Sequence, residues 1–161
     1  MPSFREVSVT DDTAHQLLTE YFASRKESFP AEMGSYVTTF PEASQFLPPR
    51  GVFVLVNDGQ ADIGCGGIRL LAHSIGVTRF EVKHLWVRPE LRGTGLGRTL
   101  LDELEARARA FGASEIVLDT NIAQEAAGAL YRRSGYGEIA PYNANPNATH
   151  WFAKNLTTEL E

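Results

Sequence analysis

The segment Arg92-Gly93-Thr94-Gly95-Leu96-Gly97 stands between a β-branched and aromatic stretch, Arg79 to Val87, and an amphipathic one, Gly95 to Phe111. A strand that passes through a tight glycine turn into a helix, and then into a second strand at Ile116 to Thr120, requires a crossover connection. At least one strand pair is therefore parallel. In the helix, Leu100, Leu101, Leu104 and Ala108 form one apolar stripe, Asp102, Glu103, Glu105, Arg107 and Arg109 mostly occupy the rest, and Gly112 closes it.

The strand before the turn changes phase. Phe80 and Val82 are apolar at even positions, whereas Leu85 and Val87 are apolar at odd ones. Side chains alternate faces with a period of two, so one inserted residue near Lys83-His84 places both pairs on one face. The pattern predicts a β-bulge there. Trp86 lies on the other parity, and a strand end buried on both faces is the competing reading.

Around this unit the chain reads as a helix from about Thr13 to Ser28 capped by Asp12, then a proline- and aromatic-rich stretch from Phe29 to Arg50 that resists assignment. A hairpin follows, Val52 to Val56 and Ala61 to Leu71 joined by Asn57-Asp58-Gly59-Gln60. Glycines at 64, 66 and 67 suggest a bulge or close backbone approach, or simply a loose strand. Ile122 to Ser134 reads as a helix with Ile122, Ala126 and Leu130 as its stripe, and Tyr136 to Ala140 and His150 to Leu156 as strands. The expectation is one domain over residues 1–161 with an α/β (α+β) mixed sheet flanked by helices.

The totals exclude several functions. A net charge of −5 argues against a nucleic-acid binder. The opening residues lack a basic cap and apolar run, and no stretch approaches the roughly 18 apolar residues of a membrane span. A cytoplasmic protein without a membrane partner is expected. Cys65 is the only cysteine, which rules out an internal disulfide and a cysteine metal cluster, and reads as a small buried residue. His84 and His150 lack metal-ligand spacing, so no metal is expected and packing is their default role. His84, beside the bulge, can also help receive a proton. Locally, Arg79 to Arg98 carry five basic residues against two acidic ones, a patch suited to a small polyanion or a chance cluster on a solvated surface.

Glycines at 93, 95 and 97 remove side chains where a ligand must approach the backbone, and the N–H groups of the following helix start form an anion site. Arg92 and Arg98 flank it. The dinucleotide pattern fails because position 98 is arginine, and the P-loop pattern fails because no Gly-Lys-Ser/Thr follows.

Arg92-x-x-Gly95-x-Gly97, preceded by Glu81-Val82-Lys83-His84-Leu85-Trp86-Val87-Arg88-Pro89, resembles the acyl-CoA-binding motif of the GCN5-related N-acetyltransferase (GNAT) superfamily. Asp119-Thr120-Asn121 and the segment from Ala129 to Tyr136 resemble the family's next strand and helix. The resemblance covers roughly residues 50 to 156. It implies a GNAT-like fold in which the N–H groups from Gly93 through Thr94, Gly95, Leu96 and Gly97 to Arg98 hold a pyrophosphate. It also implies that the Leu85-Trp86-Val87 edge and Asn121 bind the pantetheine arm of acetyl-CoA. For Asn121, capping of the strand end stays open.

The resemblance further implies transfer of an acetyl group to a primary amine of a small molecule, amino acid, peptide or protein. Glu81 is the implied base and Tyr131 the implied acid at the leaving thiolate, with a backbone N–H at Leu85 or Val87 meeting the oxyanion. From the residues alone, Glu81 can equally be a solvent-facing partner of Lys83 or Arg79, and Tyr131 can be core. A non-catalytic acyl-CoA-binding sensor is the alternative function, although it needs neither Glu81 nor Tyr131. The acceptor pocket is expected from the first helix, the Phe29 to Arg50 region and the Tyr142-Asn143-Ala144-Asn145 loop, with Glu32 and Glu42 as candidate carboxylates for a cation. Chain association is open; many such relatives pair as homodimers.

Overall fold

In the computed structural model, which describes residues 1–157, seven strands form one sheet in the order β1-β2-β3-β4-β5-β7-β6. They are β1 (Ser3–Glu6), β2 (Gly51–Asn57), β3 (Asp62–Ser74), β4 (Val77–Val87), β5 (Glu115–Thr120), β6 (Gly137–Ile139) and β7 (His150–Asn155). Only β4 and β5 run parallel; every other neighbouring pair is antiparallel. The helices are α1 (Asp12–Ser28), α2 (Leu96–Ala110) and α3 (Glu125–Arg133). The mixed sheet and the parallel pair bridged by α2 agree with the sequence pattern.

Two apolar layers cover the sheet. In β2, Val52, Val54 and Val56 enter the layer holding Leu100, Leu101 and Leu104 of α2, while Phe53 and Leu55 enter the layer holding Leu17, Leu18 and Phe22 of α1. Strict alternation on a strand buried on both faces explains why its sequence is an unbroken apolar run. Together the α2 leucines anchor the helix that follows the glycine turn; truncating one such fully buried leucine costs about 2–5 kcal/mol.

β4 carries the bulge that its phase break predicts. Cys65 pairs with Trp86 and Gly67 with Lys83, so Gly66 alone faces both His84 and Leu85. His84 holds φ at 60°, a left-handed conformation that no other non-glycine described residue adopts. The extra residue brings Phe80, Val82, Leu85 and Val87 to the α2 layer, and Trp86 joins the α1 layer. Both sequence readings hold: the strand is bulged, and its end is buried on both sides. The glycines of β3 serve close approach, since a Cβ at Gly64 would lie 2.6 Å from the Trp86 carbonyl oxygen and one at Gly67 2.8 Å from the Phe46 ring.

Four expectations need correction. Asp11, not Asp12, caps α1, its Oδ2 accepting the N–H groups of Thr13 (3.0 Å) and Ala14 (3.1 Å). β1 is absent from the sequence reading because a four-residue edge strand with a largely exposed face carries little pattern. α3 begins at Glu125, and Ile122 stands outside it, 63% exposed, its N–H donating to Thr149 Oγ1. Glu105 belongs to the buried side of α2, where the Tyr136 hydroxyl and the Lys154 ammonium donate to it.

Candidate active site

β4 and β5 pair only over Arg79–Glu81 and Glu115–Val117. Beyond that point the strands diverge, and a cavity of about 470 Å³ is lined by Val82 to Leu85 on one side and Leu118 to Asn121 on the other. The bulge at His84 lies at this divergence. Parallel strands that separate leave the backbone edge of residues 82–87 facing β5 without a strand partner among the described residues, an edge to which an extended amide-bearing chain can bond.

The strand end meets the glycine turn. Gly93 (φ 82°) and Gly95 (φ 88°) are left-handed, and a Cβ at either would enter open space, so backbone conformation rather than crowding demands glycine. Gly95 is the N-cap of α2 and supplies no side-chain cap. The first bonded N–H of the segment is that of Thr99, which donates to the Gly95 carbonyl; the six from Gly93 to Arg98 donate to no described residue. Uncapped N–H groups at the positive end of a helix form an anion site.

The flanking arginines do less than the sequence suggests. Arg92 lies 4.6 Å over the Trp86 ring and donates to the Val87 carbonyl at 3.2 Å, which ties the turn to β4. Arg98 pairs along α2 with Asp102 at 3.1 Å. Arg79 and Arg88 are likewise engaged, with Glu115 and Glu20. The local basic excess is therefore mostly neutralised within the protein.

Glu81 is neither solvent-facing nor paired with Lys83 or Arg79. It is fully buried; Arg69 donates to its Oε1 through two nitrogens, both at 2.9 Å, and the Tyr142 hydroxyl donates to its Oε2 at 2.7 Å. Of this group, Arg69 lines the cavity, whereas Glu81 and Tyr142 do not. Burial first, and then the Glu81 carboxylate, push the Tyr142 phenol well above its usual range. Arg69 went unnoticed in the sequence because it sits 12 residues away on a different strand, opposite Glu81 in register.

Tyr131 lines the cavity from α3, and its hydroxyl makes no hydrogen bond to a described residue. Its ring is core, packed against Tyr136 and Phe152. Burial pushes the phenol above its usual value, so it stays protonated. Asn121 closes the end of β5: its Oδ1 accepts from Ala123, and its Nδ2 donates to the Asn147 carbonyl at 3.0 Å, so the capping role is real and its side chain also lines the cavity.

His84 faces the cavity with its ring among Tyr21, Phe22 and Phe46, and its Nδ1 is buried without a partner. Burial, followed by Lys83, Arg69 and Arg25, pushes its pKa down to about 3. An imidazole so disfavoured as a cation does not hold an amine proton, contrary to the role its sequence position suggested. The cavity's remaining wall comes from α1, residues 29–46 and Asn143, Asn145 and Asn147, the segments expected to shape the acceptor site. Glu42 reaches the rim; Glu32 does not line it.

Comparison with known proteins places this geometry. The model of the Acetyltransferase (GNAT) family matches residues 12–136. The chain is 30% identical over 142 residues to an IAA acetyltransferase of Azospirillum brasilense, covering 86% of this chain and 88% of that protein. It superposes with a TM-score of 0.74 and 30% identity on a candidate acyl-CoA N-acyltransferase from Klebsiella pneumoniae subsp. pneumoniae, over 97% and 98% of the two chains. A GNAT acetyltransferase from Elizabethkingia anophelis with acetyl-CoA bound shares the fold, with a TM-score of 0.64 and 12% identity over 96% and 97% of the chains. The sheet that carries the bulge, the divergence and the glycine turn is thus a known architecture, and the chain belongs to the GNAT acetyltransferase family.

Proposed function

We propose that the protein transfers the acetyl group of acetyl-CoA to a primary amine by direct attack on the thioester. The observation that carries this reading is the divergence of β4 from β5 after Glu81, with the free N–H groups from Gly93 to Arg98 following the same strand in the chain. The slot suits the pantetheine amides, bound along the Leu85-Trp86-Val87 edge and at Asn121, and the turn suits the pyrophosphate.

In the reaction the amine lone pair forms the N–C bond, the C–S bond breaks, and the amine loses one proton while the sulfur gains one. With an alkylamine pKa near 10, only about one molecule in a thousand is neutral at pH 7, so the ammonium form must first shed one proton, and the attacking amine then loses a second as the amide forms. Glu81 is the proposed base. Both its oxygens are occupied, so the proton reaches Oε2 through the Tyr142 hydroxyl or a water. Tyr131, kept protonated by burial, donates a hydrogen bond to the departing thiolate. With a phenol pKa above that of the thiol, it steadies the leaving group, and solvent completes the protonation.

An acetyl-CoA-dependent thiol-release assay over small amines, amino acids and peptides, with products identified by mass, tests the reading. Tyr131→Phe is expected to lower kcat about 10- to 100-fold with acetyl-CoA affinity within twofold of wild type. Unchanged turnover removes Tyr131 from the mechanism. No turnover by the wild type with any amine, alongside tight acetyl-CoA binding, identifies a non-catalytic sensor.

A further inference from the structure

Charge around the cavity is unequally spent. Glu81 is saturated by Arg69 and Tyr142, whereas Asp119, on the β5 side, is hydrogen-bonded only by neutral amides, Asn143 Nδ2 on one oxygen at 2.9 Å and Asn145 Nδ2 on the other at 3.2 Å. Glu42 is exposed at the rim. Among the cations, Arg69 is bound to Glu81 and to Gln45. Among the described residues Arg25 has only neutral partners, the Gln124 amide at 2.7 Å and the Tyr21 ring at 4.8 Å. Lys83 makes neither an ion pair nor a hydrogen bond with any described residue, although it is half-buried in the cavity wall.

A half-buried cation without a counter-charge is costly unless a ligand supplies one. The same imbalance reaches His84, whose electrostatic neighbours are all cations: Lys83, Arg69 and Arg25. Beside these groups the wall is ring-lined. Phe22 stacks obliquely with Phe40 at 4.8 Å and with Tyr36 at 6.4 Å, and Phe46 lies below, while Phe40 keeps 42% of its surface exposed at the mouth.

Resting on the acetyltransferase reading above, we infer that the acceptor is an α-amino acid with an aromatic side chain, its carboxylate drawn to Lys83 and Arg25 and its ring seated among Phe22, Tyr36 and Phe40. A polyamine or a lysine side chain would bring a further cation to the side of the cavity where Lys83 and Arg25 have no charged partner among the described residues. An amine without a carboxylate leaves Lys83 unpaired.

The test measures kcat/KM for L-phenylalanine, phenethylamine, L-alanine and spermidine, each divided by its fraction of neutral amine. L-Phenylalanine is expected to exceed phenethylamine and spermidine at least tenfold, since a charge-assisted hydrogen bond in a partly buried site supports a discrimination of about that size, and to exceed L-alanine at least tenfold because alanine leaves the ring-lined wall unfilled. Lys83→Met should lower the ratio of phenylalanine to phenethylamine about tenfold, and Lys83→Arg should keep it, with thermal unfolding confirming that both variants fold. A second arm does not depend on turnover: in the CoA-loaded protein, N-acetyl-L-phenylalanine should bind at least tenfold tighter than N-acetylphenethylamine. Equal or better use of phenethylamine or spermidine overturns the inference, as does a ratio that Lys83→Met leaves unchanged or equal binding of the two products. If no amine releases thiol yet the anionic product still binds tighter, the anion subsite stands and the catalytic reading falls.

Discussion

The two halves of the proposed site are built from different materials. The half proposed for the coenzyme is backbone: a bulged strand edge, a divergence between parallel strands and, beyond the strand end, six free N–H groups on a turn shaped by Gly93 and Gly95. The half proposed for the acceptor is side chain: rings from α1 and from residues 29–46, with Asn143, Asn145 and Asn147 arriving from the loop before β7. Backbone devices tolerate change wherever φ/ψ is preserved, so one architecture can serve many chemistries. Side-chain walls change freely, and specificity resides there.

Substitutions that affect one half and spare the other test this division. The largest effect is expected from Glu81→Gln, which keeps the shape under the acceptor half while removing the proposed base. Turnover should fall about 100-fold with acetyl-CoA affinity retained, measured by steady-state kinetics and calorimetry. The loss of charge opposite Arg69 should cost about 2–3 kcal/mol in urea unfolding. A folded Glu81→Gln with wild-type turnover would confine Glu81 to holding Arg69.

Next in size is Gly95→Val, which forces a β-branched residue into φ 88° at the N-cap of α2 and so disturbs the backbone of the turn. Acetyl-CoA binding should weaken about 30-fold, equivalent to about 2 kcal/mol, with the acceptor KM within threefold. A larger change in acceptor KM than in coenzyme affinity would break the division between the halves.

His84 joins the halves, and its burial should appear as a pH effect on stability. Unfolded, the imidazole takes a proton below about 6.5; folded, it resists until about 3. The unfolded state therefore binds more protons across that window, and stability falls as pH falls through it. Between pH 7 and 5 the loss through this residue is about 2 kcal/mol. His84→Asn, which tolerates the left-handed backbone, should reduce the difference between urea unfolding at the two pH values by that amount. The smallest effect belongs to Arg98→Ala. Its exposed pair with Asp102 contributes at most about 1 kcal/mol, and coenzyme affinity should change less than threefold because residue 98 acts through its N–H.

The same contrast explains what the sequence revealed. Backbone devices leave local signatures: the phase break between Val82 and Leu85 marks the bulge, and three spaced glycines before an apolar stripe mark the turn. That α1, the Phe29 to Arg50 region and the loop at Asn143 and Asn145 converge on one cavity was also legible, since unassignable loops between clear elements gather where strands end. Particular partnerships were not. Arg69 meets Glu81 only through antiparallel register, and Tyr142 reaches the same carboxylate from 61 residues away, leaving no periodicity to read. The basic cluster misled for the same reason, because Glu20, Asp102 and Glu115, which neutralise it, come from separate parts of the fold or lie outside the window counted.

The central claim, that the backbone of the glycine turn and of the divergent strands holds the coenzyme, is tested most directly by titrating the isotope-labelled protein with coenzyme A and following its backbone amides by NMR. The account predicts that the largest shifts fall on the amides of Gly93 to Arg98, with a second set along residues 82–87 and 118–121. Saturable binding that leaves the Gly93 to Arg98 amides unmoved would contradict it.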